Sequence, residues 1–289
     1  MTWLNAIVQG ILTGGFYALF AVGLSILFGV MGVINLAHGD LAVIAAYVAL
    51  AMIPVTHLPA VLAFVVVVPM FAVGGYILQR TLLQASLDRD PFTTLLVTFG
   101  LSVVIENVLL EVFTSNTQSL NIGSLLFDTL NLTPQIPVSY FSLVMLAVAV
   151  GVLGALQLFL SRTGTGRMIR AVADDREAAQ LVGANYRHIF GIAAAIALAT
   201  VSIAGIAYGI LSGFTPTAGT ANLLFAFEAV VIGGIGSLWG TLVGGIVLGI
   251  AQEIGAQINP AYQVLAGHLV FLAVLALRPR GLFGLRAAT

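Results

Sequence analysis

Apolar runs of about 20 residues, long enough for a helix to cross some 30 Å of hydrocarbon, follow one another along almost the whole chain. They predict spans at roughly 7–30, 34–53, 60–80, 92–114, 138–160, 188–212, 223–238, 240–257 and 262–278. The fold expected is all-α: a polytopic membrane protein of eight to nine transmembrane segments, forming one transmembrane domain over residues 1–289. Punctuation between runs is clear in places. Asp90 stands as an N-cap ahead of Pro91 at a first helical position, and Asn259-Pro260 and Arg278-Pro279 break direction in the same manner. Between the seventh and eighth runs lies "GGIGSLWG", in which Gly233, Gly234 and Gly236 are expected to turn the backbone tightly near an interface that suits Trp239. A re-entrant break there would lower the span count. Elsewhere glycines recur at four-residue spacing (Gly205, Gly209 and Gly213; Gly240 and Gly244; Gly245 and Gly249), the pattern of small faces at which helix backbones approach closely in lipid. Packing within one chain is the plain reading of them, contact with a second chain the other.

Polar residues inside these runs mark where the pattern changes meaning. The segment "VINLAHGDLAV", residues 33–43, sets Asn35, His38, Gly39 and Asp40 into a run of Ala, Val, Ile and Leu. Polar groups at membrane depth are costly unless they face a cavity, a partner or an opened backbone. One reading is a discontinuous segment near the N-terminus lining a translocation path; the other is that these residues start the second span, with Asp40 favoured by the helix dipole. Glu106, Glu228 and Glu253 are further ionisable groups within spans. Glu111 lies near a span end, and Glu228 reads equally as an interfacial helix start. No Lys or Arg falls inside a span to pair with them, so they are expected to be neutral, hydrated or bonded to amides and hydroxyls.

Charge, scarce elsewhere, gathers in one place. The chain has 289 residues, 60% of them hydrophobic and 7% charged, with a mean hydropathy of +1.11. Five of its ten arginines (Arg162, Arg167, Arg170, Arg176 and Arg187) fall in the island from about 162 to 187. With Arg80 and Arg89 in one loop and Arg278, Arg280 and Arg286 in the tail, the positive-inside rule puts these segments in the cytoplasm, and residues 54–59, 114–137, 213–222 and the N-terminus outside. Within the island, Asp174 to Glu177 has the D-x-x-E form of a capping box, Gly183 is a stop, and Ala178, Ala179, Leu181 and Val182 present a small apolar face. Just before it, Arg167 and Arg170 share a helix face with Met168, Ile169 and Val172 opposite. The segment reads either as a helix lying on the membrane surface or as a docking element for a soluble protein. The absence of cysteine removes disulfides and thiolate metal sites. A formal net charge of −1 without a basic run argues against nucleic acid. With no lysine there is no phosphate-loop lysine, so energy must come from another polypeptide or an ion gradient. The N-terminus lacks the basic and small-residue features of a signal peptide.

Taken in order, "GVINLAHGDL", "GTGRMIRAVADDREAAQLVGANYRHI" and "AVVIGGIGSLWGTLVGGIVLG" resemble the H-type permease subunit of bacterial branched-chain amino acid ABC importers, and the resemblance spans essentially the whole chain. It implies an inner-membrane subunit, without a cofactor or catalysis of its own, that forms a pore with an M-type permease, two cytoplasmic ATPase subunits and a periplasmic or lipid-anchored binding protein delivering an amino acid. It further implies that residues 171–183 carry the ATPase coupling helix, which draws in Arg170, Asp174, Glu177, Ala178, Ala179, Leu181 and Gly183. Asn35, His38, Asp40, Glu106 and Glu228 are the candidates for the translocation path. Two rival classes are weighed against this. An ion-coupled carrier or channel would use the same acidic groups and His38 as ion sites but needs no docking helix. An intramembrane hydrolase would have to build on Ser237 and His268, with no third group to orient them.

Overall fold

A computed structural model describes residues 3–56, 62–121, 129–133 and 136–284. Arg286 and parts of the expected loops 54–59 and 114–137 lie outside the described residues. Nine apolar rods account for the nine runs. They are α1 (Trp3–Met31), α2 (His38–Thr56), a rod made of α3 (Ala63–Leu78), a π-turn (Gln79–Leu83) and α4 (Gln84–Leu87), then α5 (Pro91–Phe113), α6 (Tyr140–Arg162), α9 (Tyr186–Leu211), α10 (Ala218–Gly233), α11 (Leu238–Ile258) and α12 (Gln263–Leu277). Two short polar helices, α7 (Gly164–Asp174) and α8 (Arg176–Leu181), interrupt them, and β1 (Thr129–Thr133) pairs antiparallel with β2 (Ile136–Ser139). Seven of the rods are long and apolar enough to cross a membrane, while residues 38–53 of α2 and all of α10 are shorter apolar helices. The chain divides into two compact units that share α1, α6 and α10.

One unit comprises Met1–Ser25, Ile122–Leu153 and Leu224–Thr289. Here α1 lies against α11 with their backbones in direct contact at the glycines. A Cβ on Gly10 would come 2.5 Å from Ile250 Cα, and one on Gly245 would come 2.6 Å from the Gly14 carbonyl oxygen. The glycine spacing in α11 therefore serves packing inside the chain. Tyr17 donates to Gln252 Oε1 at 2.6 Å along the same seam, and Thr13 is hydrogen-bonded to Glu253. The β-hairpin packs Ile136 and Val138 on Leu12.

The other unit comprises Ile26–Asn121 and Gly154–Leu223, with the largely buried α9 at its centre. Gly205 meets the Ala42 backbone of α2, and a Cβ on Gly75 of α3 would lie 2.6 Å from the Ala194 carbonyl oxygen of α9. Tyr47 packs at 4.4 Å and 4.8 Å, between ring centroids, from Phe113 and Phe214. Asp90 is extended and precedes Pro91 at the start of α5, as expected, but its side chain makes no capping hydrogen bond.

Candidate functional site

Within the second unit a polar seam follows α5. Thr94, Thr98, Ser102 and Glu106 recur at four-residue spacing, which places them in line on one helix face. Two of them, Thr98 and Ser102, meet the segment singled out by sequence, and Glu106 meets α10. Residues 32–37 are unwound between α1 and α2, and the freed backbone is taken up by side chains: Leu36 N–H donates to Thr98 Oγ1 at 3.2 Å and Ala37 N–H to Asn35 Oδ1 at 3.0 Å. Ser102 donates to Asp40 Oδ2 at 2.5 Å, and Thr220 donates to Glu106 Oε1 at 3.1 Å. Asn35, His38 and Asp40 are 5%, 0% and 1% exposed. The first turns of α2 and α10 touch. A Cβ on Gly39 would collide with the Gly219 carbonyl, and one on Gly219 with the Asp40 carboxylate. Asp40 thus sits at two helix N-termini, where backbone dipoles favour negative charge. As the helix-start reading has it, α2 starts at His38 with Asp40 in its first turn, and the same groups close onto α5 and α10. The hydroxyl partners Ser102, Thr220 and Thr98 escaped sequence reading, although the four-residue stripe in α5 was there to be found.

The outward face of α5 stays partly polar. Asn107 and Glu111 are exposed beside Val103, Val104, Val108 and Val112, while Glu106 is half-buried. Asn107 Nδ2 turns back to the Val103 carbonyl of its own helix at 2.7 Å.

In the first unit the acidic group is Glu228, 1% exposed, with His268 Nδ1 of α12 at 2.5 Å. Two expectations are corrected. Glu228 lies within α10 rather than at an interfacial helix start, and its partner is an imidazole rather than an amide or hydroxyl. Ser237 and His268 are no nucleophile–base pair: Ser237 Oγ accepts from Gly240 N–H at 3.1 Å as the N-cap of α11, and the His268 Nδ1 nitrogen is engaged by Glu228. The expected glycine turn is present. Gly234 and Gly236 have φ of 102° and 80°, and Gly233 and Gly240 approach so closely that a Cβ on either would strike the other's carbonyl. The segment after α12 seats on this turn, Leu282 N–H donating to Ile232 O at 2.8 Å and Phe283 N–H to Gly233 O at 3.0 Å.

The charged island, again in the second unit, folds into α7 and α8. Thr163 caps α7, accepting from Gly166 N–H at 2.9 Å, and Gly166 lets the helix fold back on the end of α6, where a Cβ would strike the Phe159 carbonyl. Ile169 and Val172 are buried as expected, in one cluster with Ala179, Ile189 and Phe190 against Val30, Met31 and Leu87; Met168 is exposed. The cap of α8 is Asp175, whose Oδ1 accepts from Glu177 and Ala178 N–H, each at 2.9 Å. The expected Asp174 instead ends α7, because the Ile169–Val172 face keeps that helix wound until Asp175 turns extended. Gly183 stops α8 with φ of 89°, its N–H and that of Ala184 bonding to Gln180 O and Ala179 O in a Schellman pattern. Ala179 is 4% exposed and faces inward, which corrects its place in the expected outer face; Leu181 and Val182 stand out at 90% and 85% exposed, with Ala178, Glu177 and Arg170 exposed as well. Asp88, unremarked in the sequence, is the anchor of the segment. It takes Arg176 at 3.2 Å, Arg187 at 3.0 Å, Tyr186 at 3.1 Å and Gln84 at 3.0 Å, while Arg176 lies 3.9 Å over the Tyr186 ring. The end of α4 is thereby tied to the starts of α8 and α9.

Comparison with known proteins sets this geometry in context. The family model described as branched-chain amino acid transport system / permease component matches residues 6–275. The chain is 30% identical to the high-affinity branched-chain amino acid transport system permease protein BraD of Pseudomonas aeruginosa, over 98% of this chain and 96% of that protein. It is 26% identical to the corresponding LivH protein of Escherichia coli K12 with the same coverage. A shorter stretch, 40% of this chain, is 34% identical to the fructose import permease protein FrcC of Rhizobium meliloti. No solved structure matches.

Proposed function

The chain belongs to the permease-component family of branched-chain amino acid transport systems, and on that premise we propose that it builds half of the translocation path of an ATP-driven importer for leucine, isoleucine or valine. It is a permease of the bacterial inner membrane, and all 289 residues act as one transmembrane domain. An M-type permease supplies the other half, two ATPase subunits supply the energy, and a binding protein delivers the solute. The chain itself catalyses nothing.

The observation that carries this reading is α8. It is a six-residue helix capped at both ends, tied through Arg176 to Asp88, seated on its own core through Ala179, and tipped by two adjacent apolar side chains left almost wholly exposed. A carrier driven by ions has no use for such a rigid projection. An ATPase groove has: closure of the paired ATPases pushes the tip, and a capped, anchored helix passes that push on as a rigid body. The path runs along the polar seam, where Asn35, His38, Asp40 and Glu106 set neutral and acidic groups into an apolar wall; the exposed Asn107 and Glu111 on the same helix support a wet or partner-covered face, since polar groups do not persist against lipid. Glu228, held by His268, serves the path through the placing of α10.

The test replaces both tip residues, Leu181→Glu with Val182→Glu, in the reconstituted complex. Neither side chain packs within the chain, so helicity and assembly with the second permease should be unchanged, while bound ATPase and ATP-dependent leucine uptake are lost. Normal retention of ATPase together with normal uptake overturns the docking reading, and uptake that persists without ATPase on an ion gradient puts the ion-coupled carrier in its place.

A further inference from the structure

Two turns join α8 to the rest of the chain. Asp175 is extended before it and Gly183 has a φ of 89° after it, so neither junction passes a push along a continuous helix. The apolar seat, where Ala179 clusters with Ile169 and Val172 against Leu87, holds α8 down but gives it no direction. One carboxylate supplies the direction. Asp88, the residue after α4, divides its two oxygens between two helices: Oδ1 accepts from Arg176 Nη2 of α8 at 3.2 Å, and Oδ2 from Arg187 Nη2 of α9 at 3.0 Å. Tyr186 Oη donates to the same Oδ1 at 3.1 Å while its ring carries the Arg176 guanidinium, and Gln84 Nε2 of α4 donates to it at 3.0 Å.

We propose that Asp88 is the positioning residue through which movement of α8 enters the membrane rod of α3 and α4, a role that rests on α8 being the ATPase docking helix. The rod is built to receive it. Behind Asp88, α4 is a single turn of four residues, and Gln79–Leu83 before it are wound as a π-turn, a rare winding that recurs at functional sites. Beyond the π-turn the rod is fixed to α9 again. Tyr76 Oη lies 2.8 Å from His188 Nδ1, and the Tyr76 ring sits against Gly191, where a Cβ would come 2.6 Å from Cε2. The irregular winding therefore lies between two fixings to α9, and a displacement entering at Asp88 is taken up there rather than spread along α3.

The chemistry requires a carboxylate at this position. An amide keeps one acceptor oxygen and turns an N–H₂ group toward the other guanidinium, so it can serve α8 or α9 but not both. Both arginines and Asp88 itself are partly exposed, and exposed ion pairs add little to stability. What the cluster contributes is a fixed direction between three elements, which separates its loss from a loss of fold.

The test uses the whole complex in proteoliposomes, with leucine and the binding protein, and reads leucine taken up per ATP hydrolysed. Asp88→Asn should lower that ratio by roughly fivefold or more, the scale of an allosteric coupling, with the ATPase still bound and the thermal unfolding midpoint unchanged. Asp88→Glu, which keeps both oxygens, should restore most of it. Arg176→Gln should lower the ratio as far as Asp88→Asn does, with no further loss when the two are combined. A normal ratio in both single variants overturns the proposal, and so does loss of bound ATPase from Asp88→Asn, which would make Asp88 part of the docking seat. Should Asp88→Asn fail to fold, Arg176→Gln, on the more exposed side of the pair, decides alone. Failure of the docking reading shows itself separately, as ATPase retained with normal uptake in the Leu181→Glu, Val182→Glu variant, and takes this role of Asp88 with it.

Discussion

Asp174 and Asp175 are neighbours of identical chemistry, and only one of them holds a helix. The difference is backbone conformation: Asp175 is extended, with φ of −152° and ψ of 105°, so its carboxylate can accept from the N–H groups of Glu177 and Ala178, while Asp174 belongs to the last turn of α7. Asp175→Ala should therefore cost α8 about 1 kcal/mol, the usual worth of an N-cap, and Asp174→Ala close to nothing. Hydrogen exchange of residues 177–182 measures the contrast; equal protection loss in the two variants would return the cap to Asp174. The D-x-x-E spacing had pointed to the earlier residue because a capping box is read from sequence spacing alone. Where α7 stops is set by Ile169 and Val172 packing beneath it, which the spacing does not contain. The same limit explains Ala179. Small apolar residues around it looked alike, and which of them turns inward was decided by the cluster that α8 lands on.

At the scale of elements, the chain's glycines separate into those that need the absence of a Cβ and those that do not. Gly234 and Gly236 have positive φ between α10 and α11, and a Cβ on Gly234 would also come 2.6 Å from Gly284 N in the segment crossing the turn. Gly151 in α6 has open space around its missing Cβ. Gly234→Val and Gly236→Val should each destabilise the fold by at least about 1–3 kcal/mol from backbone strain alone. Gly151→Val should stay within a fraction of that; thermal unfolding in detergent compares the three, and similar midpoints for all would remove the special role of the turn. The turn was legible as "GGIGSLWG". Its second purpose, as the seat for residues 282 and 283, was not, because that contact joins segments some 50 positions apart in the chain.

For the molecule as a whole, what matters is whether the polar seam meets solute. Asn35→Leu and Asp40→Leu, made separately in the reconstituted importer, should each lower leucine uptake by roughly tenfold or more, the size expected when a group in a transport path is lost rather than a surface contact. Assembly with the second permease and the ATPases should persist. Unchanged transport in both would leave these residues as nothing more than the start of α2. The apolar faces of α6 and α12 are largely exposed and fit surfaces that meet lipid or another subunit rather than water.

Sequence by itself determined the nine apolar rods, the membrane class, the polar segment at residues 33–43, the Gly234–Gly236 turn and the location of the charged island. These follow from run length, from backbone conformations open to few residues, and from the cost of charge in hydrocarbon, all of which are local or compositional. Tertiary structure alone decided which polar groups meet. The pairing of Asp40 with Ser102, of Glu106 with Thr220 and of Glu228 with His268, and the gathering of Arg176, Tyr186 and Arg187 on Asp88, join residues 40 to 114 positions apart. A buried polar group must find a partner, but the run in which it lies says nothing of where that partner is, because the partner is supplied by whichever helix packs against it.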